Sequence, residues 1–564
     1  MHQDHSLRPF NVKHSRFSRR MAMRMAGVAS VALGLGAGFG SKAVASPAQA
    51  ATNAALWRAQ ATPDANGVIP SPMPGVPAVY TKYPEPVATV TEPPGKGGKV
   101  RIFWLTDARI KPRDENTWWQ ELEQRLGVEL DIQLIPGSAY GDKIATTIAG
   151  GDMPELMQVL TLLSPQQPKF MLQGAYTDLT EALNEENRQA FSNLSKLPDY
   201  AYTNSKLNGK LYAVPSPFPI EPNAQWYRGD WADKLGIAKP ANADEYRAML
   251  QAFTSDDPDG NGSADTFGTA FEQLNGFEQR FVHGMFRVPC EGDGFRLNDD
   301  GTFTYVVETD EFRNALEYQR DLWGAGVFHP DSRTMANTDV RDQIIGNVAG
   351  GGAIGFVLVN QARQDLKLVA PDGVLTGIVP PGHDGGQGVN YNIDGYFGQV
   401  CIPASIGKDE ARLQELLGIC NFFAAPFGSE EQIFLTLGKE GVHWTQNDDG
   451  SRTKTQQGNE EVLGSILGGD SVLFDANVEQ AVEFQSMMYE QAQTGVFSAT
   501  NPLYSETAAN KGAELAQLYT DRLYEIGTGA KDIDAIGQWV EDWKSRGGDQ
   551  IRQEYEEAYA EAQG

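Results

Sequence analysis

The stretch from Lys99 to Leu160 constrains the fold more than any other part of the chain. Val100-Arg101-Ile102-Phe103-Trp104-Leu105 reads as a strand, Thr117 to Leu126 has helical apolar spacing, and Glu129 to Ile135 alternates as a second strand. Ala139 to Ala149 reads as a helix stopped by Gly150-Gly151, and Leu156 to Leu160 as a third strand. Strands separated by helices are joined by right-handed crossovers, so the expected product is a parallel α/β sheet. Farther on, the pattern predicts a short strand at Leu211 to Pro215, helices at Ala243 to Phe253 and Glu311 to Trp323, and a buried strand at Ala353 to Val359. It then predicts a helix at Leu413 to Phe423 and a charged helical tail, Asp532 to Gln563, broken at Gly547-Gly548. No short-period repeat is present, and 564 residues are too many for one ordinary core, so two domains or three are expected.

The first hundred residues read differently. Residues 1–50 hold seven bases and one acid, with the pair Arg19-Arg20 followed by a weakly apolar Ala/Gly-rich run, Met25 to Gly40. An A-x-A-like sequence follows at Ala48-Gln49-Ala50, so 1–50 is expected to be an export signal peptide of the twin-arginine type. The apolar run is too short and too poor in large apolar residues for a transmembrane anchor. No Cys lies near the cut to carry a lipid. Residues 51–98 hold nine prolines from Pro63 to Pro94 and then Gly95-Lys96-Gly97-Gly98, which predicts an extended lead with order beginning at Lys99.

Charge and chemistry exclude several classes. Acids outnumber bases 74 to 46, a net charge of −28; removing residues 1–50 leaves 39 bases and 73 acids, or −34. Nucleic acid binding needs a basic face and is not expected. Export permits disulfides, but Cys290, Cys401 and Cys420 lack metal-type spacing and are expected to be mostly buried free thiols, over a 401–420 disulfide. His283, His329, His383 and His443 are scattered, and no nucleophile elbow or HExxH sequence occurs. Gly350-Gly351-Gly352-Ala353-Ile354-Gly355 matches G-x-G-x-x-G, but its glycines are expected to lead into a strand rather than to open a helix, so no nucleotide site is assigned.

Two features point to binding. Asp257-Pro258-Asp259-Gly260-Asn261-Gly262-Ser263-Ala264-Asp265 places oxygen side chains at positions 1, 3, 5 and 9 of an EF-hand-like loop, with Gly262 at the sharp turn and the Ser263 carbonyl at position 7. Asp257, Asp259, Asn261, Ser263 and Asp265 are therefore candidate ligands of one structural Ca2+ ion. The usual bidentate Glu is missing, since position 12 is Gly268, and a metal-free Asx-rich turn is the alternative. Aromatic residues cluster near predicted strand ends and loops, where flat rings can stack on sugar faces, although for any single Trp a core position is the heavier reading.

Several segments carry a family resemblance. Ile148-Ala149-Gly150-Gly151-Asp152-Met153-Pro154-Glu155, Asn208-Gly209-Lys210-Leu211-Tyr212-Ala213-Val214-Pro215 and Trp226-Tyr227-Arg228-Gly229-Asp230-Trp231 come first. Then follow the Asp-rich loop, Gly438-Lys439-Glu440-Gly441-Val442-His443-Trp444 and the terminal Trp539 to Tyr555. In this order, from Lys99 to the C-terminus, they resemble the extracellular solute-binding proteins of bacterial ABC importers, family 1. The nearest likeness is the large oligosaccharide-binding subgroup that includes the alginate-binding proteins.

The resemblance implies an α/β fold of the periplasmic-binding-protein-like type II, two α/β lobes joined by a multi-strand hinge. Lobe 1 is expected at 99–215 and 398–443, and lobe 2 at 216–397 and 444–564. The hinge strands would be Val214-Pro215-Ser216, Gly395 to Gly398 and His443-Trp444. It implies a carbohydrate ligand held between the lobes, an ABC permease as partner, an exported monomer, and no catalysis; a secreted glycosidase or lyase is the alternative. Trp104, Asp107, Trp226, Arg228, Asn360, Tyr391, Tyr396 and Trp444 are expected to line the cleft, each lying by a predicted strand end or hinge.

Overall fold

The structure, a computed structural model, describes residues 47–160, 166–220, 223–288, 294–447 and 452–563. Nearly all of the expected signal peptide and Cys290 lie outside the described residues. Strands are numbered in chain order. The N-terminal lead departs from its expectation: Pro47–Gln60 is a helix, and β1 (Val68–Ile69) pairs antiparallel with β2 (Ala78–Tyr80). β2 pairs in parallel with β16 (Val472–Phe474), nearly four hundred residues away in sequence. Ile69 and Val79 are fully buried, so the prolines shape the path of this segment without leaving it unstructured.

The main sheet has the order β4-β3-β5-β13-β6, formed by β3 (Lys99–Leu105), β4 (Glu129–Ile135), β5 (Leu156–Val159), β6 (Ala213–Pro217) and β13 (Tyr396–Cys401). β3 pairs in parallel with β4 and β5, as the crossovers require, whereas β13 runs antiparallel to both β5 and β6. The alternation of β3 is read out directly. Val100, Ile102 and Trp104 enter a core with Trp118, Leu122 and Leu126, while Phe103 enters the opposite core with Tyr140, Ile144, Met157 and Cys401. The helix Thr117–Leu126 starts where the Asn116 side chain accepts from the Trp119 N–H and ends at Gly127 with φ 72°. Cys401 and Cys420 are both free and buried.

A second sheet, order β10-β7-β11, is built from β7 (Asn223–Arg228), β10 (Gly351–Gly355) and β11 (Leu375–Ile378), all antiparallel. The expected strand Ala353 to Val359 is corrected here: the strand ends at Gly355, and a helix begins at Phe356. The glycines, in the strand or just before it, admit close neighbours. A Cβ on Gly350 would lie 2.3 Å from the Phe253 ring, and one on Gly352 would lie 2.8 Å from the Ala270 carbonyl. Around this sheet lie the hairpin β8 (Phe295–Leu297) and β9 (Phe303–Tyr305) and the parallel pair β12 (Asn390–Asn392) and β17 (Gly495–Phe497). An aromatic core of Phe295, Phe303, Tyr305, Trp539, Trp543 and Tyr555 closes this region, with the Tyr305 and Trp543 rings stacked at 4.1 Å.

The antiparallel pair β14 (Trp444–Gln446) and β15 (Arg452–Lys454) and the chain that follows it lie with the first sheet. Val462, Ile466 and Leu467 belong to the core that holds Val100 and Trp104. Among the described residues, the chain leaves one sheet's surroundings for the other's at Ser216 to Phe218, at Gly395 to Phe397, and at 468–471. At the third, the Gly468 N–H donates to Ser216 Oγ (3.1 Å) and Ser471 Oγ donates to the Pro217 carbonyl (3.1 Å). The third passage therefore falls some 25 residues beyond the His443-Trp444 expected from sequence.

Candidate functional site

Burial divides the eight expected cleft residues. Trp104 is 2% exposed, edge-on to Trp118 and Phe423 in the core beside the main sheet. Trp226, on the central strand of the second sheet, is 1% exposed and packs edge-on to Phe484. Trp444 is buried and its indole N–H donates to the Gly438 carbonyl (3.0 Å). Tyr391 is buried, its hydroxyl donating to the Val288 carbonyl. Arg228 is buried in a bidentate pair with Asp230, donates also to Asn347, and lies 4.7 Å over the Trp231 ring. These five side chains are buried in this conformation and are engaged in core packing or structural hydrogen bonds. A large ring near a strand end is as well placed to fill the space between sheet and helix as to face a ligand.

Asp107, Asn360 and Tyr396 remain accessible or half-buried. Asp107 follows β3 and accepts from the Gly137 N–H (3.0 Å). Asn360 donates to the Phe474 carbonyl, next to the third passage. The structure does not gather these three into one cluster. What it does expose at the junction between the sheets is Phe397. The register of β13 against β6 shifts between Tyr396 and Gly398, and this irregularity leaves Phe397 at 48% exposure. Its ring lies 5.2 Å from that of Phe218, which in turn meets Phe356 edge-on at 5.1 Å.

Polar contacts also lie near this junction. The Asp394 carboxylate accepts from Asn501 (2.9 Å), the Asp394 carbonyl accepts from Asn204 (2.8 Å), and Lys169 reaches Asn510 (3.1 Å). Burial raises the Asp394 carboxyl to about 6, against the lowering effect of Asn501. An apolar ring flanked by amides and carboxyls suits a ligand with flat apolar faces and many hydroxyls. Sequence reasoning placed Gly395 to Gly398, Phe397 included, in the hinge, but named only Tyr396 of that stretch as a ligand residue. The exposure of Phe397 comes from the strand pairing, which residue order does not display.

In the Asp-rich loop, Gly262 has φ 82°, the left-handed turn expected at the sixth position, and its N–H donates to one Asp257 oxygen (3.2 Å). The other Asp257 oxygen is buried without a hydrogen-bond partner. The Asn261 amide NH2 donates to Asp259 (2.8 Å) and to Asp265 (3.2 Å), so the positive end of this amide sits between two carboxylates. Outside the loop, the Lys234 ammonium donates to the carbonyls of Asp257 (3.3 Å) and Pro258 (3.0 Å). Among the described residues no three His, Cys, Asp or Glu side chains converge as a metal site.

The buried His443 and Glu461 show how polar groups in this chain are committed to structure. His443 Nδ1 accepts from the Lys439 N–H (2.9 Å), and its Nε2 lies 3.2 Å from Glu461. Glu461 also accepts from Thr117 (2.7 Å) and Lys111 (3.0 Å). Burial would raise the Glu461 carboxyl, but these hydrogen bonds outweigh it and hold it at about 2. Thr117 and Glu461 share one ring nitrogen, so the imidazole cannot relay a proton from one to the other.

A mixed five-stranded sheet and a three-stranded antiparallel sheet, both packed with helices, make the mixed α/β solute-binding protein fold. The bacterial extracellular solute-binding protein family matches residues 112–397, and the chain belongs to that family. It is a family of binding proteins and not of enzymes, which removes the glycosidase or lyase alternative. The chain is 24% identical over 483 residues to the polygalacturonan/rhamnogalacturonan-binding protein YtcQ of Bacillus subtilis (strain 168), covering 83% of this chain and 93% of that one. Among solved structures it resembles a human-milk-oligosaccharide (HMO) binding, ABC-transporter-associated solute-binding protein from Bifidobacterium longum infantis. The TM-score is 0.61 at 15% identity, with 82% of this chain and 99% of that one covered. It also resembles the alginate-binding protein AlgQ2, solved without calcium ion, at TM-score 0.58 and 17% identity, over 84% of this chain and 100% of that one. Among the described residues no helix is long and apolar enough to cross a membrane.

Proposed function

We propose that the protein captures an oligosaccharide between two lobes and hands it to an ABC permease as a monomer. The observation that carries this reading is the exposed Phe397 beside Phe218 and Phe356, at the junction where the chain passes between the sheets. Lobe 1 takes 89–216 and 398–467; lobe 2 takes 47–80, 218–394 and 472–563. Ligand bridging the lobes favours the closed state, which the permease reads. Phe397 supplies a stacking face, with Tyr396 next to it in the chain and Asp107 and Asn360 as further polar candidates. The net charge of −34 beyond residue 50 and the engagement of Arg228 with Asp230 favour a neutral oligosaccharide over a polyanion.

The test is a thermal-shift screen of neutral and acidic oligosaccharides, with and without a chelator. A saccharide present at a hundred times its Kd stabilises the native state by about 2.7 kcal/mol. Phe397→Ala is expected to weaken that saccharide about tenfold with an unchanged unliganded midpoint. Unaltered affinity in this variant would remove Phe397 from the site. In the same screen, calcium held by Asp257, Asp259, Asn261, Ser263 and Asp265 raises the midpoint and chelator lowers it. The partnerless Asp257 oxygen supports this assignment.

Export with removal of a leader is part of the same reading, with the cut read earlier than Ala48 to Ala50. Ala48 to Ala50 lie inside the helix Pro47–Gln60, where Ala50 is fully buried. A peptidase needs extended chain, and a twin-arginine substrate arrives folded. Ala43-Val44-Ala45, just before this helix, offers the same small residues at the same spacing. N-terminal sequencing of the exported protein is expected to read Ser46-Pro47; a start at Ala51 would restore the later cut.

A further inference from the structure

The N-terminal segment does more than precede the lobes. On one side, the helix Pro47–Gln60 lies along the helix Val478–Thr494, with the Trp57 indole N–H donating to Gln485 (3.0 Å) and Asn53 to Gln493 (2.5 Å). Ile69, Val76 and Val79 share a core with Trp226 and Leu473 of the second sheet's body. On the other side, the N–H groups of Thr89 and Val90 and the Thr89 hydroxyl all donate to the buried Glu431 carboxylate, at 2.8 to 2.9 Å. Asn193 donates to the Thr89 hydroxyl (2.9 Å), and Val90 packs against the main sheet's core. The same continuous segment is thus fastened to both bodies.

Between the two fastenings lies Tyr83. Its ring stacks on Phe474 of β16 at 4.1 Å and on Phe427 at 5.9 Å, and the Arg452 guanidinium lies 4.1 Å over it. Phe427 belongs to the chain that leads to the third passage from the main-sheet side, and Phe474 to the strand that leaves it on the other. Tyr80 adds a second contact to Phe427 at 4.9 Å. Pro84 and Pro86 stiffen the link. Gly428, with φ 79°, is held to glycine by Pro84, since a Cβ there would lie 2.1 Å from the proline ring.

We propose that residues 81–88 are a strap across the hinge, and that Tyr83, which completes a three-ring cluster with Phe427 and Phe474, themselves 6.2 Å apart, sets how the protein divides itself between lobe arrangements. This rests on the two-lobe reading above. Rotation of one lobe against the other must move Phe427 relative to Phe474. The stacked contacts of Tyr83 form in the arrangement seen here and favour it over any other. Tyr83 is a positioning residue and touches no ligand in this account. The strap makes a fourth link between the lobes, additional to the three passages.

The test reads lobe separation without ligand. Cysteines placed at the exposed positions Gln124 and Asp372, in a Cys290→Ser background, carry a dye pair for single-molecule energy transfer; Cys401 and Cys420 are buried. The wild-type chain is expected to show two distance populations. Tyr83→Ala is expected to shift their ratio at least twofold, away from the arrangement described here, while Tyr83→Phe, which keeps the ring, matches wild type. Tyr83→Leu keeps apolar volume without the flat ring. It is expected to shift the ratio in the same direction and serves if the alanine variant does not fold. Two populations with an unchanged ratio in the folded Tyr83 variants would overturn the strap and leave the two-lobe reading standing. One narrow population in every chain would overturn both.

Discussion

Trp226→Ala is expected to destabilise the protein by about 3–5 kcal/mol, the cost of emptying a fully buried Trp site. The ring lies at the centre of the second sheet, 1% exposed, edge-on to Phe484 at 5.2 Å and with the Arg363 guanidinium 5.1 Å above it. Its neighbour on β11 is a glycine, Gly377, whose missing Cβ would lie 3.2 Å from the indole, so the space is shaped to this side chain. Removing the ring opens a cavity and strips Arg363, itself buried beside Asp475, of an aromatic face. The indole N–H has no hydrogen-bond partner among the described residues, so the loss is one of packing. Chemical denaturation measures it. Trp226→Phe is expected to recover part of the stability and to bind saccharide with wild-type affinity. A binding defect in that variant, with stability restored, would return Trp226 to the ligand site.

The same residue shows what the sequence could and could not tell. Elements fixed by local periodicity were legible. The helix Thr117–Leu126 and the strand Glu129–Ile135 coincide with the pattern because spacing, cap and stop all lie within a few residues. Burial of a Trp is decided by partners far along the chain, such as Phe484 for Trp226 and Phe423 for Trp104, and no local pattern carries that information. The Pro-rich segment was read as extended for a related reason. Its order comes from pairing with Val472–Phe474 and from Glu431, both distant in sequence. Gly350 to Gly355 was read as leading into a strand, which forms at Gly351–Gly355 but ends sooner than expected. Tight contacts with Phe253 and Ala270 select the glycines there. The exposure of Phe397 was invisible because it arises from a shift in strand register between β13 and β6.

Stability is expected to fall as pH rises from about 4 to about 7, and Glu278→Gln to remove most of that slope. Glu278 is fully buried, with a backbone φ of 55°, in the left-handed region unusual for a residue other than glycine. Its carboxylate accepts from Thr269, from the Tyr246 hydroxyl (2.7 Å) and from Gln225 (2.5 Å). Burial raises its carboxyl and outweighs these donors, which lower it, leaving it at about 7. The unfolded chain releases the proton near 4.3, while the folded chain holds it until about 7. In that window the native state binds more protons, so stability declines with pH, by about 3–4 kcal/mol in all, and levels off above pH 7. Below pH 4 both states are protonated and the effect vanishes. Glutamine cannot ionise, so the variant should show a nearly flat urea midpoint from pH 5 to 8 and exceed the wild type at pH 8. Part of that gain is offset because one amide oxygen cannot serve all three donors. A wild-type slope that persists in Glu278→Gln would assign the titration to another group, with Asp394, raised to about 6, the next to replace.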